Sequence, residues 1–245
     1  MLRSLLFNVG AWSWTLLLLI LCLPGLLMPR RVVNHHAARL WLGGIRAMLH
    51  TLVGLDHEVR GRERLPPGPV IFAVKHQSAW ETLTLHLVID DPAIALKREL
   101  TLIPLFGWYA LRAGMIRIDR GHGTRALRSL IIGARKALDR GQPVVIFPEG
   151  TRVAPGERRP YHPGVAGLYL QLNVPVVPVA LNSGLFWGRR AFVKRPGRIV
   201  VEFLDSIPPG LTRRRFMEVL EERLEGATNR LIAEARPALP DAPIG

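Results

Sequence analysis

The 245 residues suffice for one sizeable domain plus an appendage, and an apolar fraction of 49% is ample for a packed core. Lysines and arginines number 33 against 19 acidic residues, and the resulting net charge of +14 points to an anionic partner: a membrane surface, a phosphorylated substrate or nucleic acid. A single cysteine, Cys22, excludes an intrachain disulfide and a CxxC metal site.

Residues 4–28 carry no charge, follow Arg3 and precede Arg30 and Arg31. That length spans a hydrocarbon core of about 30 Å. A cleaved signal peptide fits less well, because the apolar part runs too long and no small-x-small site precedes the arginines. The expectation is an uncleaved anchor with the body on the cytoplasmic side of a bacterial inner membrane, by the excess of Lys and Arg that follows it. Pro24 and Gly25 leave a shallow hairpin open as the alternative. Over 36–52, Leu40, Trp41, Ile45, Met48, Leu49 and Leu52 fall at helical spacing beside Arg39 and Arg46. This is either an interfacial helix packing back on the first or an ordinary core helix.

The globular part is expected from about Leu55. A turn over 61–68 leads into a buried strand over 69–74, then a helix over 79–88 closed by Asp90-Asp91-Pro92. A short strand over 93–96 ends at Lys97. Residues 99–111 read as partly helical, interrupted by Pro104 and Gly107, and 115–118 as a strand. The clearest helix is 124–140, with Leu127, Leu130, Ile131, Ala134 and Leu138 on one face and Gly141 as its stop. A strand over 143–147 runs into a basic loop with Arg158 and Arg159. A helix over 164–172 follows, then a strand over 174–181 whose Pro175 and Pro178 suggest an edge or irregular position. A strand over 198–204 and an amphipathic helix over 211–235 complete the pattern. Alternating strands and helices imply an α/β layer structure with its functional loops at one end of the sheet. The expected division is an anchor and interfacial helix over 1–54, an α/β domain over 55–237 and a loose tail over 238–245.

Chemistry concentrates in Val74-Lys75-His76-Gln77-Ser78-Ala79-Trp80-Glu81, on a strand-to-helix turn. Histidine is a general base near neutral pH, and a carboxylate can hold its ring and stabilise the imidazolium. Five helical steps would separate the two side chains, so His76 and Glu81 meet only if His76 precedes the helix and Glu81 lies in its first turn. The competing reading is a capping box, with Ser78 as cap and Glu81 reaching back to a backbone N–H.

Four blocks line up in order: His76-x4-Glu81, then Gly114-Met115-Ile116-Arg117-Ile118-Asp119-Arg120, then Phe147-Pro148-Glu149-Gly150-Thr151-Arg152, then Val174-Pro175-Val176-Val177-Pro178-Val179-Ala180-Leu181. Together they resemble the glycerolipid acyltransferase family, whose best-known members are the 1-acylglycerol-3-phosphate O-acyltransferases. Lys97-Arg98-Glu99-Leu100, Ile103-Pro104 and Phe106-Gly107-Trp108 resemble that family's intervening stretch. There are two departures: the first block usually ends in Asp rather than Glu81, and His162 stands where a lysine is often found.

The resemblance implies a mixed sheet flanked by helices, with a membrane-anchoring segment before it. It implies transfer of an acyl group from a thioester, on coenzyme A or acyl carrier protein, to a lysophospholipid hydroxyl by direct attack, with no other cofactor. His76 would be the base and Glu81 its partner, with Lys97, Arg120 and Arg152 on the acceptor phosphate. Glu149, Gly150 and Thr151 would form an acceptor or oxyanion region, with Glu149 binding glycerol hydroxyls or holding Arg120 or Arg152. Arg117, Arg158 and Arg159 are read as solvated. His35-His36 has no metal-ligand spacing, and no Gly-rich nucleotide loop is present. Kept open are other acceptors, glycerol-3-phosphate or a lyso-aminolipid, and a non-catalytic protein that binds anionic membranes by charge alone. Nucleic acid is disfavoured for want of base-stacking aromatics.

Overall fold

The computed structural model describes residues 1–118 and 123–239. Its helices are α1 (Leu2–Leu21), α2 (Arg30–Val32), α3 (Arg39–Met48), α4 (Trp80–Val88), α5 (Phe106–Arg112), α6 (Gly123–Asp139), α7 (Pro163–Leu172) and α8 (Arg213–Ala235). The strands are β1 (Leu55–Arg60), β2 (Ile71–Val74), β3 (Ala93–Lys97), β4 (Ile116–Ile118), β5 (Val144–Ile146), β6 (Val176–Leu181) and β7 (Gly197–Phe203). They form one seven-stranded sheet in the order β1-β7-β6-β2-β5-β3-β4. Neighbours run parallel except β6 and β7, so the sheet is mixed, as the resemblance implies.

Successive side chains of a strand point to opposite faces, and this sorts the core into two layers. Ile71 and Ala73 of β2 pack with α6, α7 and α8 through Leu130, Leu168, Phe216 and Leu220. Phe72 and Val74 pack on the other face, with Phe7 of α1, Ile45 of α3 and Trp80 and Leu85 of α4. The same alternation carries past the end of β2. Lys75 follows Ile71 and Ala73 inward on the first face, and His76 follows Phe72 and Val74 onto the second.

Two expectations need correction. The strand over 174–181 is not at an edge, because β6 lies between β7 and β2, although its pairing with β7 is irregular, the other position its prolines suggested. Its prolines are tolerated for local reasons. Pro175 precedes the strand and only accepts, from the Ile71 N–H at 3.1 Å. Pro178 sits where β7 leaves the ladder, between the Val179–Phe203 pair and the isolated Val176–Ile207 bridge, so its missing N–H breaks no regular rung. Gly107 does not interrupt the helical stretch either; it lies in the first turn of α5. A Cβ there would stand 2.1 Å from the Thr101 carbonyl oxygen, so glycine lets the helix lie against that backbone. The expected tail falls mostly beyond residue 239, outside the described residues.

The N-terminal segment is tied to the body along its length. The Trp14 indole donates to the Trp41 carbonyl at 3.0 Å, and the Trp41 indole donates to Thr15 Oγ1 at 2.8 Å. At one end Lys194 Nζ donates to Asn8 Oδ1 at 2.6 Å and lies over the rings of Phe7 and Trp187. At the other, Arg112 donates to the carbonyls of Leu26 and Met28, and Arg30 pairs with Asp91. α3 packs back on α1 and buries Leu42 and Ile45, and Leu49 is buried just beyond its end. The opposite side of α1 is apolar and exposed, with Leu2, Leu5, Leu6, Val9, Trp12, Leu16, Leu17 and Ile20.

Candidate functional site

The turn after β2 places His76 before α4 and Glu81 in its first turn, which is the arrangement their spacing requires. His76 Nδ1 lies 2.9 Å from Glu81 Oε1. The same oxygen accepts the Gln77 and Ser78 N–H groups, each at 2.6 Å. Ser78 Oγ in turn accepts the Trp80 N–H at 3.1 Å. The two readings of Glu81 are thus met by one carboxylate, which reaches back to the helix start and holds the histidine in the same act. A residue that no sequence signal indicated completes its shell: Ser183, just beyond β6, donates to Glu81 Oε2 at 2.8 Å.

Glu81 Oε1 already accepts two backbone N–H groups, so in the neutral imidazole the tautomer that suits this contact has the hydrogen on Nδ1 and the lone pair on Nε2. The imidazole stacks on Phe147 with centroids 4.0 Å apart and planes inclined by 20°. A carboxylate on one edge and an aromatic face along one side leave Nε2 as the nitrogen available to a substrate. This edge-and-face support fixes the ring without closing the site.

Behind the histidine, Lys75 is buried with two carboxylates. Its Nζ lies 2.8 Å from Glu149 Oε1 and 2.6 Å from Glu225 Oε1, and the Tyr161 hydroxyl donates to the latter at 2.7 Å. The Lys75–Glu149 approach is close enough for an ion pair but poorly aligned, and neither Glu149 oxygen has a well-formed hydrogen bond. Burial pushes the Glu149 carboxyl above its ordinary value, against the pull of Lys75. Burial, with the neighbouring Glu225, pushes the Tyr161 hydroxyl up as well. Glu149 therefore points inward to Lys75 rather than to Arg152.

The loop after β5 is fastened to the histidine turn by the Val153 N–H, which donates to the His76 carbonyl at 2.8 Å. This holds Arg152, half-buried, one residue away. Among the described residues Arg152 has no ion-pair partner. Gly150 adopts φ +63° and donates its N–H to the Phe147 carbonyl at 3.0 Å, so that N–H closes the turn instead of facing a substrate. The His162 ring lies directly over Gly150: a Cβ added there would stand 2.5 Å from His162 Cδ2. The residue that replaces the expected lysine thus packs on this turn. Thr151 is half-buried beside it, and Lys97 is exposed at the end of β3. Arg120 lies outside the described residues. Arg158 and Arg159 are exposed, as expected of solvated charges. Among the described residues, no group of three or more His, Cys, Asp or Glu side chains converges into a metal site.

Comparisons with known proteins identify the family. An acyltransferase family model matches residues 56–182, which include every motif discussed above. The chain is 31% identical over 233 residues to a 1-acyl-sn-glycerol-3-phosphate acyltransferase of Pseudomonas aeruginosa, covering 95% of this chain and 90% of that protein. It is 32% identical over 205 residues to a human 1-acyl-sn-glycerol-3-phosphate acyltransferase alpha, covering 82% of this chain and 71% of that one. The crystal structure of the 1-acyl-sn-glycerophosphate (LPA) acyltransferase PlsC from Thermotoga maritima superposes with a TM-score of 0.75 at 21% identity, covering 95% of this chain and 97% of that one. With the histidine–carboxylate pair on the expected turn and the motifs matched in order, this chain belongs to the acyltransferase family.

Proposed function

We propose that the protein transfers a fatty acyl group from a thioester, on coenzyme A or acyl carrier protein, to the free hydroxyl of 1-acylglycerol-3-phosphate, giving phosphatidate. The observation that carries the chemistry is the His76–Glu81 contact at 2.9 Å with Nε2 left open. His76 Nε2 takes the hydroxyl proton as that oxygen attacks the thioester carbonyl. Glu81 balances the imidazolium that forms. As the tetrahedral centre collapses, the C–S bond breaks and the thiolate recovers the proton from His76. No acyl-enzyme is invoked: Cys22 lies beyond α1, and the Ser183 hydroxyl is spent on Glu81. The acceptor's identity is supported by the relatives' names and by Arg152, a cation beside the histidine turn with no ion-pair partner among the described residues, with Lys97 at the same end of the sheet. The oxyanion is assigned to the Gly150–Thr151 turn, through its remaining backbone N–H groups.

Thiol release by the purified protein in detergent, given an acyl thioester and a panel of acceptors, tests this directly. Lysophosphatidate should be preferred over glycerol-3-phosphate, a lyso-aminolipid and neutral monoacylglycerol. Arg152→Ala should lower use of the phosphorylated acceptor by roughly ten- to a hundredfold, the worth of a charged hydrogen bond, and leave monoacylglycerol nearly untouched. An equal loss on both acceptors would make Arg152 structural.

The proposed reaction occurs at a membrane, and we propose that the body faces the cytoplasmic side. α1 has 20 residues, about 30 Å of helix, and an exposed face that is apolar except for Ser13 and Arg3. His76 emerges on the same side of the sheet as α1, where a lipid acceptor would approach. Removing the whole segment is a poor test, because Phe7 and Leu18 belong to the core. Leu6→Glu with Leu17→Glu alters only the outer face. A charge at membrane depth costs about 2.5–3.5 kcal/mol, so this pair should move most of the protein off vesicles in flotation with the fold intact. Release of the parent protein by high salt alone would refute the anchor.

A further inference from the structure

Glu81 has more to hold than an aspartate would. Its side chain carries one more rotatable bond, and its carboxylate turns back from the first turn of α4 to meet a histidine that precedes the helix. Oxygen Oε1 is crowded, taking His76 Nδ1 and the N–H groups of Gln77 and Ser78. Among the described residues, oxygen Oε2 has one partner, the Ser183 hydroxyl at 2.8 Å. Both residues are fully buried, so no solvent can replace that donor.

The serine itself stands on fixed backbone. Asn182 accepts the Val200 N–H at 2.9 Å and donates to the Leu231 carbonyl at 3.2 Å, tying the end of β6 to β7 and α8. The Gly184 N–H donates to Gln77 Oε1 at 3.0 Å, a second tether between the same two turns. A Cβ at Gly184 would stand 3.0 Å from Gln77 Cβ and 2.8 Å from Pro155, which shows how closely they are pressed.

We propose that Ser183 is a positioning residue for acyl transfer. It fixes the rotation of the Glu81 carboxylate so that Oε1 stays on His76, and it supplies the restraint that the longer acid requires. This rests on the reading of His76 as general base. Without the hydroxyl, Oε2 is a buried anionic acceptor with no donor, and the terminal torsion of a glutamate is broad.

The test is a double-mutant cycle in the thiol-release assay, with thermal unfolding followed in parallel. Ser183→Ala should lower kcat roughly tenfold with acceptor KM changed less than about twofold. Ser183→Thr, which restores a hydroxyl, should recover kcat to within about threefold of the parent. In a Glu81→Gln background Ser183→Ala should cost less than about twofold, because the carboxylate it positions is gone. Ser183→Cys, similar in shape but a weak donor, carries the comparison if the alanine variant is too unstable to assay. Equal losses from Ser183→Ala in both backgrounds, or parental kcat in Ser183→Ala, would overturn the assignment. A His76→Ala protein with normal turnover removes the general-base reading instead. Additive Ser183 and Glu81 effects in a protein whose His76→Ala variant is inactive remove the positioning role alone.

Discussion

His76→Ala should fold, associate with membranes as the parent does, and lose turnover by roughly 10²–10⁴-fold. The fold should tolerate it because the ring is not part of the closed core: its Nε2 edge is open and its contacts are Phe147 and Glu81. Losing the ring leaves Glu81 with three donors, from Gln77, Ser78 and Ser183, so the buried carboxylate keeps most of its shell. Kinetics and stability therefore separate in this variant. Thiol release under saturating acceptor, set beside a melting curve and vesicle flotation, is the measurement. Near-normal release by a folded His76→Ala protein would end the proposed mechanism.

Glu81→Gln should come next in severity, with turnover reduced by about 10²–10⁴-fold for at most about 1 kcal/mol of stability. The geometry makes this substitution clean. A glutamine carbonyl can accept the Gln77 and Ser78 N–H groups in place of Oε1. Its amide nitrogen can donate to Ser183 Oγ, which reverses its role from donor to acceptor. The hydrogen-bond count survives and the charge does not, so the imidazolium that forms at His76 goes unbalanced. Glu81→Asp keeps the charge but is one methylene short, and it cannot reach His76, the two N–H groups and Ser183 together. It should fall between parent and Gln in turnover. An active Gln variant beside an inactive Asp variant would show that reach matters and charge does not.

Much of this site is written locally in the chain. The His76–Glu81 pairing follows from five residues and a strand-to-helix turn. The two-residue period of β2 also contains the inward turn of Lys75, since it continues Ile71 and Ala73, yet a charged residue beside a histidine reads first as part of the site. Its partners Glu149 and Glu225 lie 74 and 150 residues away, brought together only by β5 and α8. Ser183 was illegible for the same reason, 102 residues from the carboxylate it touches in a stretch with no motif of its own. Among the elements, α6 was plain because one apolar stripe faces the sheet. The interior position of β6 was hidden by two prolines, whose cost depends on where β7 departs and not on β6 itself. β1 offered no strand pattern, since five of its six residues are only half-buried.

The contacts that dock α1 also order events during synthesis. Ser4 and Lys194 are linked side chain to backbone across 190 residues, and β1 pairs with β7. At about 5–20 residues per second, roughly 10–40 s separate the appearance of α1 from that of the loop that receives its first turns. For that interval α1 lacks the loop that receives Ser4 in its first turns, while α3, which follows soon after in the chain, is already there to pack on Trp14 and Thr15. Whatever surface it meets then, bilayer or chaperone, it meets before the catalytic sheet exists. Ribosome-bound chains stalled short of β7 should therefore leave the first turns of α1, Ser4 and Phe7 included, open to protease or to lipid, and chains released after it should protect Phe7 while leaving Trp12 open.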